Sequence, residues 1–214
     1  MPLAYSVGVT TFARRERGAL CDLALTVGPS APTLCGSWTV RELVVHLLVR
    51  ERRPWAAPGI LVPALSGLVD HASAALTRRP FEELVETLRT PPAPVRIGAV
   101  ERTVNTMEFF VHHEDIRRAA PDWASRPLDA RDEADLWRSL GMIGRGLVRP
   151  AGVPVVASDG NRTVTLRRGE RPAIVSGPVG EVALFLFGRK QVAGLTFDGP
   201  AATVAALRDA PLGF

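Results

Sequence analysis

The sequence predicts an α+β protein in which a helical domain, residues 1–149, is followed by a small α+β domain, residues 150–214. Three observations support this prediction. Apolar residues recur at helical spacing between cap and stop signals through most of the first 149 residues. After Pro150 the pattern changes to short runs rich in Val, Thr and Ile, separated by turn residues. Hydrophobic residues make up 46% of the 214 residues, which is enough for a proper core.

Five helical regions are predicted before Pro150. The second begins at a capping box, in which the Thr39 hydroxyl and the Glu42 carboxylate satisfy free backbone amides, and the fifth is capped by Asp129. Proline residues end or interrupt the regions because their rings do not fit a helix interior. The predicted ranges are 6–27, 39–53, about 60–89 with a break near Pro80, about 99–120 and about 130–148.

The last 65 residues are predicted to contain short strands and two helices. A turn at 158–161 joins two β-like runs, and its Asp-Gly-Asn sequence is typical of a hairpin. It lacks the remaining ligands of a calcium loop. The predicted strands are 153–157, 163–167, 173–175 and 195–197, and the predicted helices are 180–187 and 200–209.

The motif that carries most chemical information lies at 105–117. If this stretch is helical, Asn105, Glu108, His112 and Asp115 form one polar stripe with apolar residues on both sides. Burying a carboxylate and an imidazole without partners is costly. A divalent metal would remove that cost, because a Glu-x3-His pair places two ligands one turn apart on one face. The alternative is a buried Glu–His pair without metal, and a third ligand must come from elsewhere.

The other three histidines give few candidates for that ligand. His46 lies in the most apolar predicted helix, where it is either a core residue or a ligand reaching a neighbouring helix. His113 lies about 100° around the helix from His112, so we expect it at the edge of the site or in a salt link. His71 is predicted to be a surface histidine.

Further candidates lie beside these residues. Asn105 and Asp115 are expected either to hold a metal ligand in place or contact substrate, or else to cap helix ends in solvent. Arg50 follows His46 by one turn and would bind a substrate carboxylate or pair with a surface acid. Cys21 and Cys35 are too few for a zinc ribbon, and we expect both to be small buried or cap-adjacent residues.

Composition excludes several classes of function. The net charge is +4, and Lys190 is the only lysine among 26 basic residues. The arginines are scattered among acids without a basic run, so no nucleic-acid partner is predicted. There is no apolar span of 18 residues and no signal-peptide pattern, so we expect a cytoplasmic protein with no membrane partner. Walker, dinucleotide-binding and nucleophile-elbow motifs are absent.

Two segments resemble the mycothiol-dependent maleylpyruvate isomerase family, a branch of the DinB-like four-helix bundles found in actinobacteria. They are Cys-Gly-Ser-Trp-Thr-Val-Arg-Glu-Leu-Val-Val-His-Leu at 35–47 and the motif from Asn105 to Ala119. The His-Glu-Asp-Ile-Arg-Arg-Ala run is most similar to an uncharacterised subgroup described only as metal-binding. The stretch 177–189 resembles the small α+β domain that follows the bundle in that family.

This resemblance implies a zinc site made by His46, Glu108 and His112, with open positions for water or a thiolate. It implies an enzyme that activates mycothiol for isomerisation or S-transfer on a small electrophile, although the residues serving the isomerase substrate are not recognisable here. The ligand set would also suit Fe²⁺ or Ni²⁺. Two alternatives remain open: a non-catalytic metal-binding protein with a structural or sensing role, and a carrier of a small apolar ligand. A homodimer is also left open.

Overall fold

The computed structural model describes residues 10–53, 66–92 and 105–213. Helices and a small sheet follow one another in the predicted order, so the predicted α+β class is confirmed. The helices are α1 (Phe12–Val27), α2 (Val40–Arg52), α3 (Ser66–Thr77), α4 (Phe81–Arg89), α5 (Thr106–Arg117), α6 (Ala130–Leu147), α7 (Val179–Leu186) and α8 (Ala201–Asp209). The strands are β1 (Val155–Ser158), β2 (Thr163–Arg167), β3 (Ala173–Ser176) and β4 (Thr196–Asp198).

The capping hydrogen bonds predicted at the starts of α2 and α6 are present. The Thr39 side chain accepts from the Glu42 amide while the Glu42 carboxylate accepts from the Thr39 amide, which completes the capping box of α2. The Asp129 carboxylate accepts from two amides at the start of α6. Pro80 separates α3 from α4, as predicted. The predicted helical residues 6–9, 60–65 and 99–104 lie outside the described part of the chain.

The sheet has the strand order β2-β1-β3-β4. β1 and β2 form the predicted hairpin, β1 and β3 run parallel, and β3 and β4 run antiparallel. α6 packs against β2 and α7, so the sheet is joined to the helical region by direct contact.

Two apolar clusters make up the core. One lies among α1, α2, α3 and α4 and takes Phe109 and Ile116 from α5. The other takes Met107 and Phe110 from α5 and continues through α6 into the sheet and α7. α5 therefore contributes to both clusters, and its polar stripe lies between them. The second cluster extends across residue 149, and the two-domain division stays a prediction.

Two local features bring distant residues to α5. The segment between α1 and α2 passes its C-terminal end, where the Leu34 amide donates to the Asp115 carbonyl. α7 ends in a Schellman motif, with hydrogen bonds from Arg189 to Leu184 and from Gly188 to Phe185. Gly188 has φ +81, and a Cβ there would lie 2.6 Å from the Leu212 carbonyl oxygen. Glycine at this position therefore allows the turn that directs Arg189 towards α5. In the part of the chain that the structure describes, no helix is both long and apolar enough to cross a bilayer.

Candidate metal site

Three of the sequence-predicted ligands converge between α2 and α5. His46, Glu108 and His112 each offer a ligand atom, and these atoms all lie within 4.8 Å of one another. The His46 and His112 rings meet edge to face with centroids 5.4 Å apart. His112 Nε2 lies 3.5 Å from Glu108 Oε2 across one helical turn. We call these three residues the candidate metal site.

The ionisation of this site suits a divalent cation. Burial, and then the charge of His112, lower the pKa of His46 to about 4, so its imidazole is neutral with a free lone pair at pH 7. Burial alone would raise the pKa of Glu108, but the His112 hydrogen bond and the charge of Arg50 lower it to about 2. The site therefore offers an anionic oxygen and a neutral nitrogen.

His112 is oriented by Asp115. The Asp115 carboxylate is fully buried, and its Oδ2 accepts a hydrogen bond from His112 Nδ1 at 2.9 Å. This leaves Nε2 facing Glu108. Burial opposes a charge on His112, but its bonds to Asp115, Cys35 and Glu108 raise its pKa well above 6.5. A carboxylate on the far nitrogen of a histidine is the usual support of a metal ligand. Asp115 thus lies where it can hold His112 in place, and it does not lie in solvent.

Arg50 and Asn105 lie beside Glu108. Both terminal nitrogens of Arg50 donate to Asn105 Oδ1, at 3.1 and 3.2 Å, and Arg50 Nε lies 3.4 Å from Glu108 Oε2. Asn105 precedes α5, but its side chain makes no capping bond. Its Nδ2 is buried and has no acceptor within the described ranges. Arg50 therefore pairs with an acid of the site and not with an acid on the open surface.

Cys35 and Arg189 are two neighbours that sequence reasoning missed. Cys35 Sγ donates to Asp115 Oδ2 at 3.0 Å and lies 3.7 Å from His112 Nδ1. Arg189 donates to both Asp115 oxygens, at 2.7 and 2.6 Å. Cys35 is half-buried in the segment before the Thr39 cap, as expected, but its contacts with Asp115 and His112 go beyond that expectation. The reason is the path of the segment before α2, which no sequence pattern revealed.

The remaining histidines lie apart from these groups. His113 is buried, and its Nδ1 pairs with Glu16 at 2.9 Å, so the predicted salt link is present but the edge position is not. His71 is exposed on α3, in line with a surface histidine.

A second polar cluster, here called the ion-pair network, lies further along α5. Arg118 binds Glu114 at 2.5 Å and both oxygens of Glu181 at 2.7 and 2.9 Å. Arg126 binds Glu114 at 2.6 Å and both oxygens of Glu16 at 2.5 and 2.9 Å. The network comprises Glu16, Glu114, Glu181, Arg118 and Arg126. It joins α1, α5 and α7 through charge-assisted bonds.

The residues of the candidate metal site fit a divalent metal. Two imidazoles and one carboxylate are the donors found in three-ligand zinc sites, and the same donors suit Fe²⁺ or Ni²⁺. The support of His112 by Asp115 adds the oriented nitrogen that such a site needs. A second group, Cys35, His112 and Asp115, also brings ligand atoms within 4.8 Å of one another.

Comparison with solved structures identifies the fold of this chain. No protein-family model and no curated protein matches the sequence. The crystal structure of a mycothiol-dependent maleylpyruvate isomerase is similar, with a TM-score of 0.54 and 16% identity over 87% of this chain and 90% of that chain. A variant of such an enzyme with one histidine replaced by alanine gives a TM-score of 0.55 at the same identity and coverage. The chain therefore shares the fold of the mycothiol-dependent maleylpyruvate isomerases.

Proposed function

We propose that this protein is a metal-dependent enzyme that activates a low-molecular-weight thiol, such as mycothiol, for isomerisation or S-transfer on a small electrophile. The observation that carries the proposal is the convergence of His46, Glu108 and His112. The resemblance of the two motifs, and the fold shared with mycothiol-dependent isomerases, support the choice of thiol. The subgroup named from the His-Glu-Asp run stays a prediction.

The metal proposed here is zinc, with Fe²⁺ and Ni²⁺ as alternatives. Zinc would supply a Lewis acid that lowers the pKa of a thiol or water in an open coordination position. The chain would hold it with the Glu108 carboxylate and two imidazoles, and His112, whose pKa is raised well above 6.5, would release a proton when the metal binds. Because only one protein ligand is anionic, the loaded site would keep a positive charge and favour an anionic ligand such as a thiolate.

The residues around the ligands define what else this chain contributes. Trp38 packs on His46 with ring centroids 5.0 Å apart and supplies an aromatic surface next to this ligand. Arg50 adds a fixed positive charge next to Glu108. The buried Asn105 Nδ2 is a donor without an acceptor in the described chain, a costly state unless a ligand or water reaches it. We propose that Arg50 and Asn105 contact the thiol or the electrophile.

A non-catalytic metal-binding role is the second candidate, and one observation favours it. Cys35 lies 3.7 Å from His112 and could turn an open site into a closed one with a protein thiolate. Closed four-ligand sites are typical of structural zinc. Cys35 approaches Nδ1, however, whereas Nε2 faces Glu108. The carrier hypothesis would need a dry apolar cavity, but the groove of about 550 Å³ beside α8 mixes apolar residues such as Phe185 and Phe197 with the charged Arg189, Lys190, Arg208 and Asp209.

The partners of the proposed enzyme are a thiol and a small electrophile. A cytoplasmic location and the absence of nucleic-acid and membrane partners stay predictions from the sequence, and so does an actinobacterial source.

The proposal is tested by proton release. Zinc-loaded protein receiving mycothiol near pH 7 should release close to one proton per site, because a thiol with a free pKa of about 8.5 ionises on binding the metal. Glu108→Ala should abolish the release. Glu86→Ala, on the exposed surface of α4, is the matched control and should keep it. A metal-loaded protein that binds other ligands but ignores thiols would contradict the thiol-dependent function.

A further inference from the structure

Cys35, Asp115 and His112 form a second group of ligand-type side chains on the other side of the His112 ring. Cys35 Sγ lies 3.0 Å from Asp115 Oδ2 and 3.7 Å from His112 Nδ1. A sulfur, a carboxylate oxygen and an imidazole nitrogen at such separations suit zinc or another thiophilic divalent ion. His112 thus presents one nitrogen to each of two possible metal positions.

One permanent cation already belongs to the second group. Arg189 donates from Nε to Asp115 Oδ1 at 2.7 Å and from Nη2 to Asp115 Oδ2 at 2.6 Å. The same Nη2 lies 3.4 Å from Cys35 Sγ. A guanidinium keeps its charge at all relevant pH values. A metal ion among Cys35, Asp115 and His112 would therefore face a like charge and compete for the same Asp115 oxygens.

Arg189 is held in this position by the backbone. Its Nη1 donates to the Phe187 carbonyl oxygen at 2.6 Å, and its side chain is only 18% exposed. The Schellman motif at the end of α7 fixes the direction in which the side chain leaves the chain. A cation anchored in this way does not move aside at low cost.

We infer that Arg189 is an internal cation that closes the Cys35–Asp115–His112 group to metal. It keeps Asp115 as the partner of His112 Nδ1 and directs the metal to Nε2, where His46 and Glu108 lie. Removal of its charge opens a second site, in which Cys35 and His112 Nδ1 bind the metal, and the thiol proton and the Nδ1 proton pass to the buffer. The inference rests on the proposed metal site for its functional meaning, but not for the role of Arg189 at Cys35.

Co²⁺ provides the test, because a thiolate ligand gives this ion an intense near-ultraviolet charge-transfer band. Wild-type protein with Co²⁺ should lack the band and match Cys35→Ser. Arg189→Met should show the band, and Arg189→Met with Cys35→Ser should lose it. Arg189→Lys keeps the charge and is the matched control, which should stay without the band. If Arg189→Met does not fold by circular dichroism, Arg189→Gln replaces it.

The outcomes separate this inference from the proposed function. The band should survive in Arg189→Met when His46→Ala is added, since His46 does not belong to the second group. A wild-type band that Cys35→Ser removes would overturn the inference, and so would a folded, neutral Arg189 variant without the band. If the wild-type protein binds no Co²⁺ and the Arg189→Met variant binds it through Cys35, the proposed metal site is wrong. The role inferred for Arg189 would still hold.

Discussion

The candidate metal site and the ion-pair network both draw on α5 or the turn that follows it, yet their polar groups are satisfied in different ways. Every carboxylate of the network receives at least one guanidinium at 2.5–2.9 Å. Glu108 in the candidate site has contacts at 3.4 and 3.5 Å, and both reach the same oxygen. Among the residues that the structure describes, each acid of the network has a short guanidinium partner, and Glu108 has none.

The difference teaches how to separate structural from functional polar clusters. Buried charges are tolerated when their partners come from the same chain, as in the network. His46 is buried enough that its pKa falls to about 4, and its described contacts are two aromatic rings, those of Trp38 and His112. With this pKa the His46 imidazole is neutral at pH 7, so its lone pair is free to bind a ligand. The contrast therefore points to an external ligand at His46, Glu108 and His112.

The largest effect that we predict concerns Arg118. Arg118→Met should lower the free energy of unfolding by about 3–5 kcal/mol, because Glu114 and Glu181 stay buried after losing a guanidinium. Urea unfolding measures this. Arg138→Met, in an exposed pair with Asp135, is the control and should cost at most about 1 kcal/mol. If Arg118→Met instead weakened zinc binding with little loss of stability, the two clusters would not be separate.

The pH dependence of stability should report the same network at Glu181. Burial alone would raise the pKa of Glu181, but bonds from Arg118 and the Ala193 amide lower it below its ordinary value of 4.5. The stabilisation is therefore present above pH 4.5 and is lost as the pH falls below it. The difference in unfolding free energy between wild type and Glu181→Gln should shrink below pH 4.5. A difference that stays constant down to pH 3 would contradict this assignment.

Much of the fold could be predicted because its signals are local. The capping box of α2, the Asp129 cap, the break at Pro80 and the hairpin turn at 158–161 each act within a few residues. The Glu-x3-His pair is local as well, since one helical turn places both side chains on one face.

The unpredicted features depend on residues far apart in sequence. Cys35 and Asp115 are 80 positions apart in the sequence, and Arg189 and Asp115 are 74 positions apart. Glu16 and Arg126 are 110 apart, so nothing indicated that these scattered charges pair. His46 is intermediate between the predicted local features and the unpredicted long-range contacts. Local signals predict its helix, but the expectation that it approaches α5 rests on the family resemblance. Spacing fixes which residues share a face, and only packing fixes which faces meet.

At the candidate metal site, replacing any one of the three proposed ligands should remove most of the zinc affinity. His46→Ala, Glu108→Ala and His112→Ala should each weaken zinc binding by about 100-fold or more, beyond the 10- to 100-fold typical of residues that only support a ligand. Calorimetry with zinc measures this. His113→Ala is the control on the neighbouring position, and it should reduce stability through Glu16 but leave zinc affinity unchanged. Full affinity in His46→Ala would make the triad wrong and turn attention to Cys35.

The smallest predicted effect is that of removing zinc from the folded protein. The two apolar clusters and the caps of α2 and α6 are made by the chain itself, so the fold should not depend on the metal, unlike a zinc finger. Free zinc at ten times its Kd adds about 1.4 kcal/mol, which corresponds to about 3–6 °C in Tm for a chain of this size. Chelation should therefore lower Tm by that amount in thermal unfolding and leave the helical circular dichroism in place. Glu108→Ala, which lacks a ligand, should show no shift when the chelator is added. Collapse of the helical signal on chelation would instead place the metal among structural ions and favour the non-catalytic role.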